Sequence, residues 1–212
     1  MDIDYRTESL GRYLDDAAAA RATPGGGSVA AVAGALAGTM AAMAAGFTAG
    51  KERFADVEPA IQEHLDCLAD LREALLTSAH DDMGAYEGIM AAYRMPKATD
   101  AERSARAEAV REATRASLDV VSDVVDAAGE VLRVARHLAD IANPNLISDV
   151  GVAAELALGA VRAAAVNVAV NLAGYTDEAD AAAVREATDT AIAEAERLAA
   201  ETRTIVMDKL KA

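Results

Sequence analysis

Asp82 is an acidic residue in an apolar part of the sequence. The segment DMGAYEGIM, which begins at Asp82, follows a run of leucines at helical spacing. A carboxyl that is partly buried in such surroundings has a raised pKa, which suits a general acid or base near neutral pH. The alternative is an acid on a solvated face of the same helix.

A second set of polar side chains occurs on an apolar helix nearer the C-terminus. Asp149 and Asn167 are separated by about five whole helical turns and therefore share a face. Asn171 follows one turn later, close to that face. Buried polar groups are costly unless they are paired. This stripe therefore either forms a structural network between helix ends or lines a ligand cleft.

The sequence TPGGGS at residues 23–28, here called the glycine loop, precedes a long uncharged segment. Three glycines leave backbone N–H groups unshielded, and Ser28 is a good N-cap for a helix that begins at Val29. Such a loop can bind an anion, because the free N–H groups and the helix dipole point the same way.

Other common catalytic patterns are missing from the sequence. His64, His80 and His137 have no metal-ligand spacing, so we expect no metal site. There is no nucleotide P-loop, dinucleotide fingerprint or Gly-x-Ser-x-Gly elbow. The single cysteine, Cys67, excludes an internal disulfide and is interpreted as a small core residue.

The hydrophobic pattern predicts helices throughout and no strands. We expect an all-α, single-domain bundle of about six helices over residues 1–212. The predicted helices cover residues 3–20, 28–49, 56–92, 99–142, 148–173 and 178–211. The second and fifth are Ala-rich, nearly uncharged and expected to be largely buried. Two such helices are more than one chain of this size covers, so we expect a homodimer or larger oligomer.

Charge and composition narrow the class of protein. The net charge of -15 argues against a nucleic-acid partner, whose phosphates would be repelled. The acidic N-terminus does not resemble a signal peptide, and we expect a cytoplasmic protein. Residues 22–50 are long enough to span a bilayer, but alanine and glycine contribute little to insertion. We therefore expect a buried helix there and no membrane association.

Five segments, in order, resemble the cyclodeaminase/cyclohydrolase family. They are TPGGGSVAAVAGALAG (residues 23–38), GFTAGKERF (46–54), DMGAYEGIMAAYRMPK (82–97), NPNLISDVGVAA (143–154) and VNVAVNL (166–172). That family includes formiminotetrahydrofolate cyclodeaminases and methenyltetrahydrofolate cyclohydrolases. The resemblance implies an all-helical homodimer that acts on a reduced folate.

The resemblance implies one of two reactions. The first is hydrolysis of methenyltetrahydrofolate to formyltetrahydrofolate. The alternative is closure of formiminotetrahydrofolate with release of ammonia; a further alternative, of another class, is a non-catalytic helical scaffold. We favour hydrolysis slightly over ammonia release because the sequence has no formiminotransferase half. Neither reaction requires a metal or redox cofactor beyond the tetrahydrofolate substrate.

The resemblance also suggests roles for particular side chains. Asp82 or Asp149 would attract the cationic methenyl group and transfer protons. The amides of Asn145, Asn167 and Asn171 suit the edge of a pterin, because each offers a donor and an acceptor. The folate's anionic glutamate tail would bind the glycine loop or a lysine. The residues assigned to that tail are Gly25, Gly26, Gly27, Ser28 and Lys51, with Lys97 as a second candidate.

Overall fold

The computed structural model describes residues 3–211 as a bundle of six α-helices, with no strand in that range. The helices are α1 (Leu10–Ala18), α2 (Gly26–Gly46), α3 (Glu58–Arg94), α4 (Asp100–Ile141), α5 (Ile147–Leu172) and α6 (Glu178–Lys209). Short 3₁₀ turns precede α3 (Glu52–Val57) and α5 (Pro144–Leu146). The predicted all-α class and the number of helices are confirmed.

The two N-terminal helices differ from the prediction at their starts. The helix expected from residue 3 begins at Leu10, where the Ser9 side chain caps it by accepting from the Arg12 N–H. Ser28 is not the N-cap of α2, because that helix already begins at Gly26 with Gly25 as its cap. Ser28 instead lies fully buried inside the first turn, so its side chain is available for a tertiary contact.

The later helix boundaries follow local signals in the sequence. Thr99 and Glu102 form a reciprocal capping box at the start of α4, which satisfies backbone donors there. Asp177 caps α6 by accepting from the Asp180 N–H. Helix α3 ends at Arg94, just before Met95 and Pro96, because the residue before a proline disfavours helical backbone. These boundaries lie within two residues of those predicted.

Helices α2 and α5 lie side by side in the centre and run antiparallel. The N–H of Asn143, just before α5, donates to Thr48 Oγ1, just after α2, over 2.8 Å. At the opposite end, the first turn of α2 meets the last part of α5 at Asn167. Both helices are rich in alanines that are fully buried in the bundle, and such small side chains allow close approach of helix backbones: Ala31, Ala37, Ala41, Ala44, Ala153, Ala157, Ala160 and Ala164.

The outer faces of these two helices are apolar and exposed. On α2 this face carries Val29, Leu36, Met43 and Phe47, and on α5 it carries Val152, Val166 and Val170. We call it the α2–α5 face. Among the described residues, α2 and the segment Pro144–Leu172 are long and apolar enough to cross a membrane by length and composition alone. Each packs its other side into the bundle core.

Candidate functional site

The carboxylate of Asp82 lies against the first turn of α2. The Ser28 N–H donates to Asp82 Oδ2 over 2.9 Å. A Cβ added to Gly27 would lie 2.6 Å from Asp82 Cγ, far inside van der Waals contact. Glycine at residue 27 therefore makes room for the acid, and the hydrogen bond fixes its orientation.

Two opposing effects act on the pKa of Asp82. Burial raises the pKa above its ordinary value of 3.8, and the hydrogen bond from the Ser28 N–H lowers it by a smaller amount. The net direction is upward, because desolvation disfavours the charged form. Of the two alternatives left open by the sequence, the structure shows the partly buried acid, and a raised pKa is the property that a general base near neutral pH needs.

Asn167 approaches the same turn of α2 from the other side. A Cβ added to Gly26 would lie 3.1 Å from Asn167 Oδ1 and 3.3 Å from Nδ2. The Asn167 amide is held by a hydrogen bond of 2.9 Å from Nδ2 to the Ala163 carbonyl. The start of α2 thus lies between an acid from α3 and an amide from α5. We call Asp82, Asn167 and Ser28, with the first turn of α2, the glycine-loop cluster.

Tyr13 belongs to this cluster although the sequence analysis gave it no role. Its hydroxyl shares a hydrogen bond of 3.1 Å with Ser28 Oγ, and both residues are buried. Burial raises the pKa of Tyr13, and the Asp82 charge acts in the same direction. The only hint in the sequence is a tyrosine on the apolar side of a short amphipathic helix, which is a weak signal.

Asn171 lies one turn beyond Asn167 and points to a different neighbour. Its Nδ2 donates to Ser117 Oγ on α4 over 2.9 Å. Ser117 and the nearby Thr114 are buried polar residues of α4. Asn171 therefore connects two helices beneath the site, which matches the structural alternative considered for the polar stripe.

Asp149 and Asn145 lie at the other end of α5. Asp149 shares a face with Asn167, as expected, but the helical rise separates them by about 27 Å. Asp149 is partly exposed and Asn145 is exposed. One chain therefore does not bring the two ends of the polar stripe into one pocket.

A second polar network, the Asn143 cluster, fixes that other end. Asn143 Oδ1 accepts from Arg53 Nη2 over 2.8 Å, and Asn143 Nδ2 donates to the Phe47 carbonyl over 3.3 Å. Asn143 is almost fully buried. The sequence analysis selected Asn145 in this motif and did not select Asn143. The proline between them was the available signal, because it fixes a turn that an asparagine can cap.

The two candidate lysines lie away from the glycine loop. Lys51 follows the C-terminal end of α2, about 30 Å along the helix from its first turn, and its ammonium lies 5.6 Å from the centre of the Phe47 ring. Lys97 is exposed beyond the end of α3, about 18 Å or more from Asp82 along that helix. Their assignment to a glutamate tail stays a prediction.

Comparison with known proteins identifies the family. The family model described as formiminotransferase-cyclodeaminase matches residues 9–190. The chain belongs to this family. A methenyltetrahydrofolate cyclohydrolase from Methylorubrum extorquens is 37% identical over 172 residues, covering 81% of this chain and 83% of the relative. These matches confirm the family that the five segments indicated.

Two further members of the formiminotransferase-cyclodeaminase family are informative. The formimidoyltransferase-cyclodeaminase of Sus scrofa is 32% identical over 96% of this chain, which spans 37% of that longer protein. The crystal structure of formiminotetrahydrofolate cyclodeaminase from Thermotoga maritima superimposes with a TM-score of 0.88 at 28% identity. That superposition covers 96% of this chain and 98% of the other, so the whole bundle is shared.

Proposed function

We propose that this chain hydrolyses methenyltetrahydrofolate to formyltetrahydrofolate. The observation that supports this most directly is the Asp82 carboxylate, which has a raised pKa and is held at the open start of α2 opposite Asn167. A base near an amide that can bind the edge of a polar ring suits attack of water on a cationic carbon. The similarity to the Methylorubrum extorquens cyclohydrolase favours this reaction.

The proposed reaction needs one group that accepts and returns a proton. Asp82 takes a proton from water while the water oxygen bonds to the methenyl carbon between two folate nitrogens. The resulting tetrahedral carbon then breaks one carbon–nitrogen bond, and Asp82 returns its proton to the departing nitrogen. The added hydroxyl loses its proton as the carbon becomes a formyl group, so one proton is released overall. The ionised carboxylate also stabilises the cationic substrate.

Asn167 and the glycine loop have separate parts in this proposal. The Asn167 amide offers a donor and an acceptor to the pterin edge. The Ser28 N–H is bonded to Asp82, but the N–H groups of Gly26 and Gly27 have no carbonyl within the helix to donate to and are suited to substrate oxygens. Asp82 already brings negative charge to this helix end, and a second carboxylate there would be repelled. We therefore propose that the glutamate tail of the folate extends along α3 towards Lys97.

We propose that the protein is a homodimer formed through the α2–α5 face. Val166 and Val170 are 63% and 67% exposed there, and a second copy with the same apolar face would cover them. A two-fold axis across the helices would place the two copies antiparallel. The end of one chain that carries Asp149 and Lys51 would then lie over the glycine-loop cluster of the other, with Lys51 near the acidic Asp82.

The proposed reaction and the charge of the chain bear on its cofactors, partners and location. Hydrolysis of a methenyl group requires neither a metal nor a redox cofactor, and the folate is the substrate. We propose a cytoplasmic protein that binds neither membrane nor nucleic acid. The net charge of -15 is unsuited to phosphate backbones, and dimer formation would cover the two apolar helices.

Formation of methenyltetrahydrofolate from formiminotetrahydrofolate is the second candidate. The names of the Sus scrofa and Thermotoga maritima relatives favour it. Both reactions pass through a tetrahedral carbon between two folate nitrogens, so the same acid can serve either. In this case Asp82, in its protonated form, would protonate the departing ammonia.

An absorbance assay separates these possibilities. Methenyltetrahydrofolate absorbs at the edge of the visible range, and hydrolysis removes that absorbance. We expect the purified protein to accelerate the decay far above the buffer rate. A parallel measurement of ammonia release from formiminotetrahydrofolate tests the second reaction. Buffer rates in both assays would leave only the scaffold and would refute the proposed function.

A further inference from the structure

Tyr13 is connected to Asp82 through one intervening residue. Its hydroxyl bonds Ser28 Oγ over 3.1 Å, and the N–H of the same Ser28 donates to Asp82 Oδ2 over 2.9 Å. Tyr13 is 6% exposed and Ser28 is 0% exposed, so water does not compete for the bond between them, while Asp82 is partly buried. We infer that Tyr13 is a positioning residue, which holds Ser28 so that its N–H stays directed at the Asp82 carboxylate.

Helix α1 is built to hold Tyr13 in this place. The Tyr5 ring meets the Tyr13 ring edge to face, with centroids 5.2 Å apart. The Tyr5 hydroxyl in turn donates to Asp16 Oδ2 over 2.9 Å. Asp16 is buried and also pairs with Arg12 and Arg21. This network joins residues 5–21 around the tyrosine, and the Tyr13–Ser28 bond connects α1 to the start of α2.

Loss of the Tyr13 hydroxyl is expected to raise the pKa of Asp82. The Ser28 N–H favours the ionised carboxylate and lowers its pKa, against the larger effect of burial. Tyr13 lies near enough to sense the Asp82 charge, and the Asn167 amide lies across the first turn of α2. On α3 itself, the neighbouring titratable residues in sequence are His80 and the exposed Asp81. Removing the Tyr13 hydroxyl frees the first turn of α2 and weakens the N–H bond. The pKa of Asp82 therefore rises further.

The direct test follows the Ser28 amide proton by NMR during a pH titration. This proton donates to Asp82, so its chemical shift reports the ionisation of that carboxyl without any substrate. In Tyr13→Phe, we expect the midpoint to move upward by roughly half a pH unit or more. Asp82→Asn should abolish the inflection, which confirms its assignment. An unchanged midpoint in Tyr13→Phe would overturn the inference.

Two further variants separate positioning from general damage to the fold. Tyr93→Phe removes the same atom from an exposed ring on α3, about 16 Å along that helix from Asp82, so its midpoint should equal that of the wild type. Ser28→Ala keeps the N–H but removes the partner of Tyr13, and should shift the midpoint as Tyr13→Phe does. The double variant should show no additional shift, because both changes delete one interaction. Equal shifts in Tyr93→Phe and Tyr13→Phe would also overturn the inference.

The effect on turnover rests on the proposed function and is measured separately. With methenyltetrahydrofolate, the acid limb of the kcat/KM profile should move upward in Tyr13→Phe by the same amount as the NMR midpoint. A wild-type protein without turnover would refute the proposed function, while the NMR shift would still decide whether Tyr13 positions Asp82. An unmoved acid limb together with a moved NMR midpoint would refute Asp82 as the base and leave its positioning by Tyr13 supported.

Discussion

The carboxylate of Asp82 occupies the space that a side chain at Gly27 would fill. An added Cβ would lie 2.6 Å from Asp82 Cγ, and the next residue along the helix donates its N–H to the same carboxylate. The glycine loop therefore leaves the space in which the carboxylate of an acid from another helix packs. This relationship also explains why the acid keeps a hydrogen bond in an environment that raises its pKa.

Gly27→Ala tests whether the space at residue 27 is required for activity. The new methyl group would displace the Asp82 carboxylate, and a general base that is moved by about 1 Å can lose roughly 100-fold in rate. We expect kcat for methenyltetrahydrofolate to fall by about that factor. Gly129→Ala, on α4, is the matched control, since nothing lies within 4 Å of its added Cβ. It should retain full activity and gain about 0.5–1 kcal/mol of stability.

Asp82→Asn tests the proposed base itself. Asparagine keeps the shape and can accept the Ser28 N–H bond, but it cannot take a proton. We expect kcat/KM to fall by about 100-fold or more, the range for loss of a general base. Asp81→Asn removes a neighbouring exposed acid and should retain activity. Wild-type rates in Asp82→Asn would remove this residue from the mechanism.

The raised pKa of Asp82 also predicts a dependence of stability on pH. Its folded-state pKa lies above the unfolded value, so the folded chain holds the proton more tightly. Ionisation then opposes folding, and the free energy of unfolding falls as the pH rises through that range. Asp82→Asn should therefore be at least as stable as wild type at pH 7. Urea unfolding should show this difference shrink as the pH is lowered to about 3.8, the ordinary value.

The proposed antiparallel dimer predicts complementation between two inactive variants. Asp82→Asn and Asp149→Asn would each disable a different half of a site shared by two chains. After mixing, unfolding and refolding together, half of the dimers contain both variants, and each of these has one intact site. We expect about a quarter of the wild-type activity per dimer. No recovery of activity would indicate that Asp149 does not join the site of a second chain.

A surface variant provides the control for the dimer. Leu36→Asp places a charge in the middle of the α2–α5 face, where the leucine is 50% exposed in one chain. We expect light scattering to show a monomer with an unchanged helical spectrum and little activity. Leu10→Asp, on α1 and also exposed, should remain a dimer. A Leu36→Asp protein that stays dimeric would exclude this face as the interface.

The sequence allowed much of the fold to be predicted, but less of the site. Six helices and most of their ends follow from short-range signals, such as the capping box at Thr99 and the break at Pro96. The start of α2 was predicted wrongly, because serine is a good N-cap, whereas in the fold the Ser28 N–H lies inside the first turn and donates to Asp82 of another helix. Tyr13 could not be recognised, since its partner Ser28 is distant along the chain.

The sequence by itself determined which residues are helical, which helices are apolar and which polar groups need a partner. These features could be predicted because the spacing of apolar residues along a helix indicates the direction in which each side chain points around the helix axis. Only the tertiary structure decided that Asp82 and Asn167 meet on either side of the α2 start, while Asp149 lies at the far end. Direction around a helix does not specify which helices are neighbours, and antiparallel packing of α2 on α5 sets which ends meet.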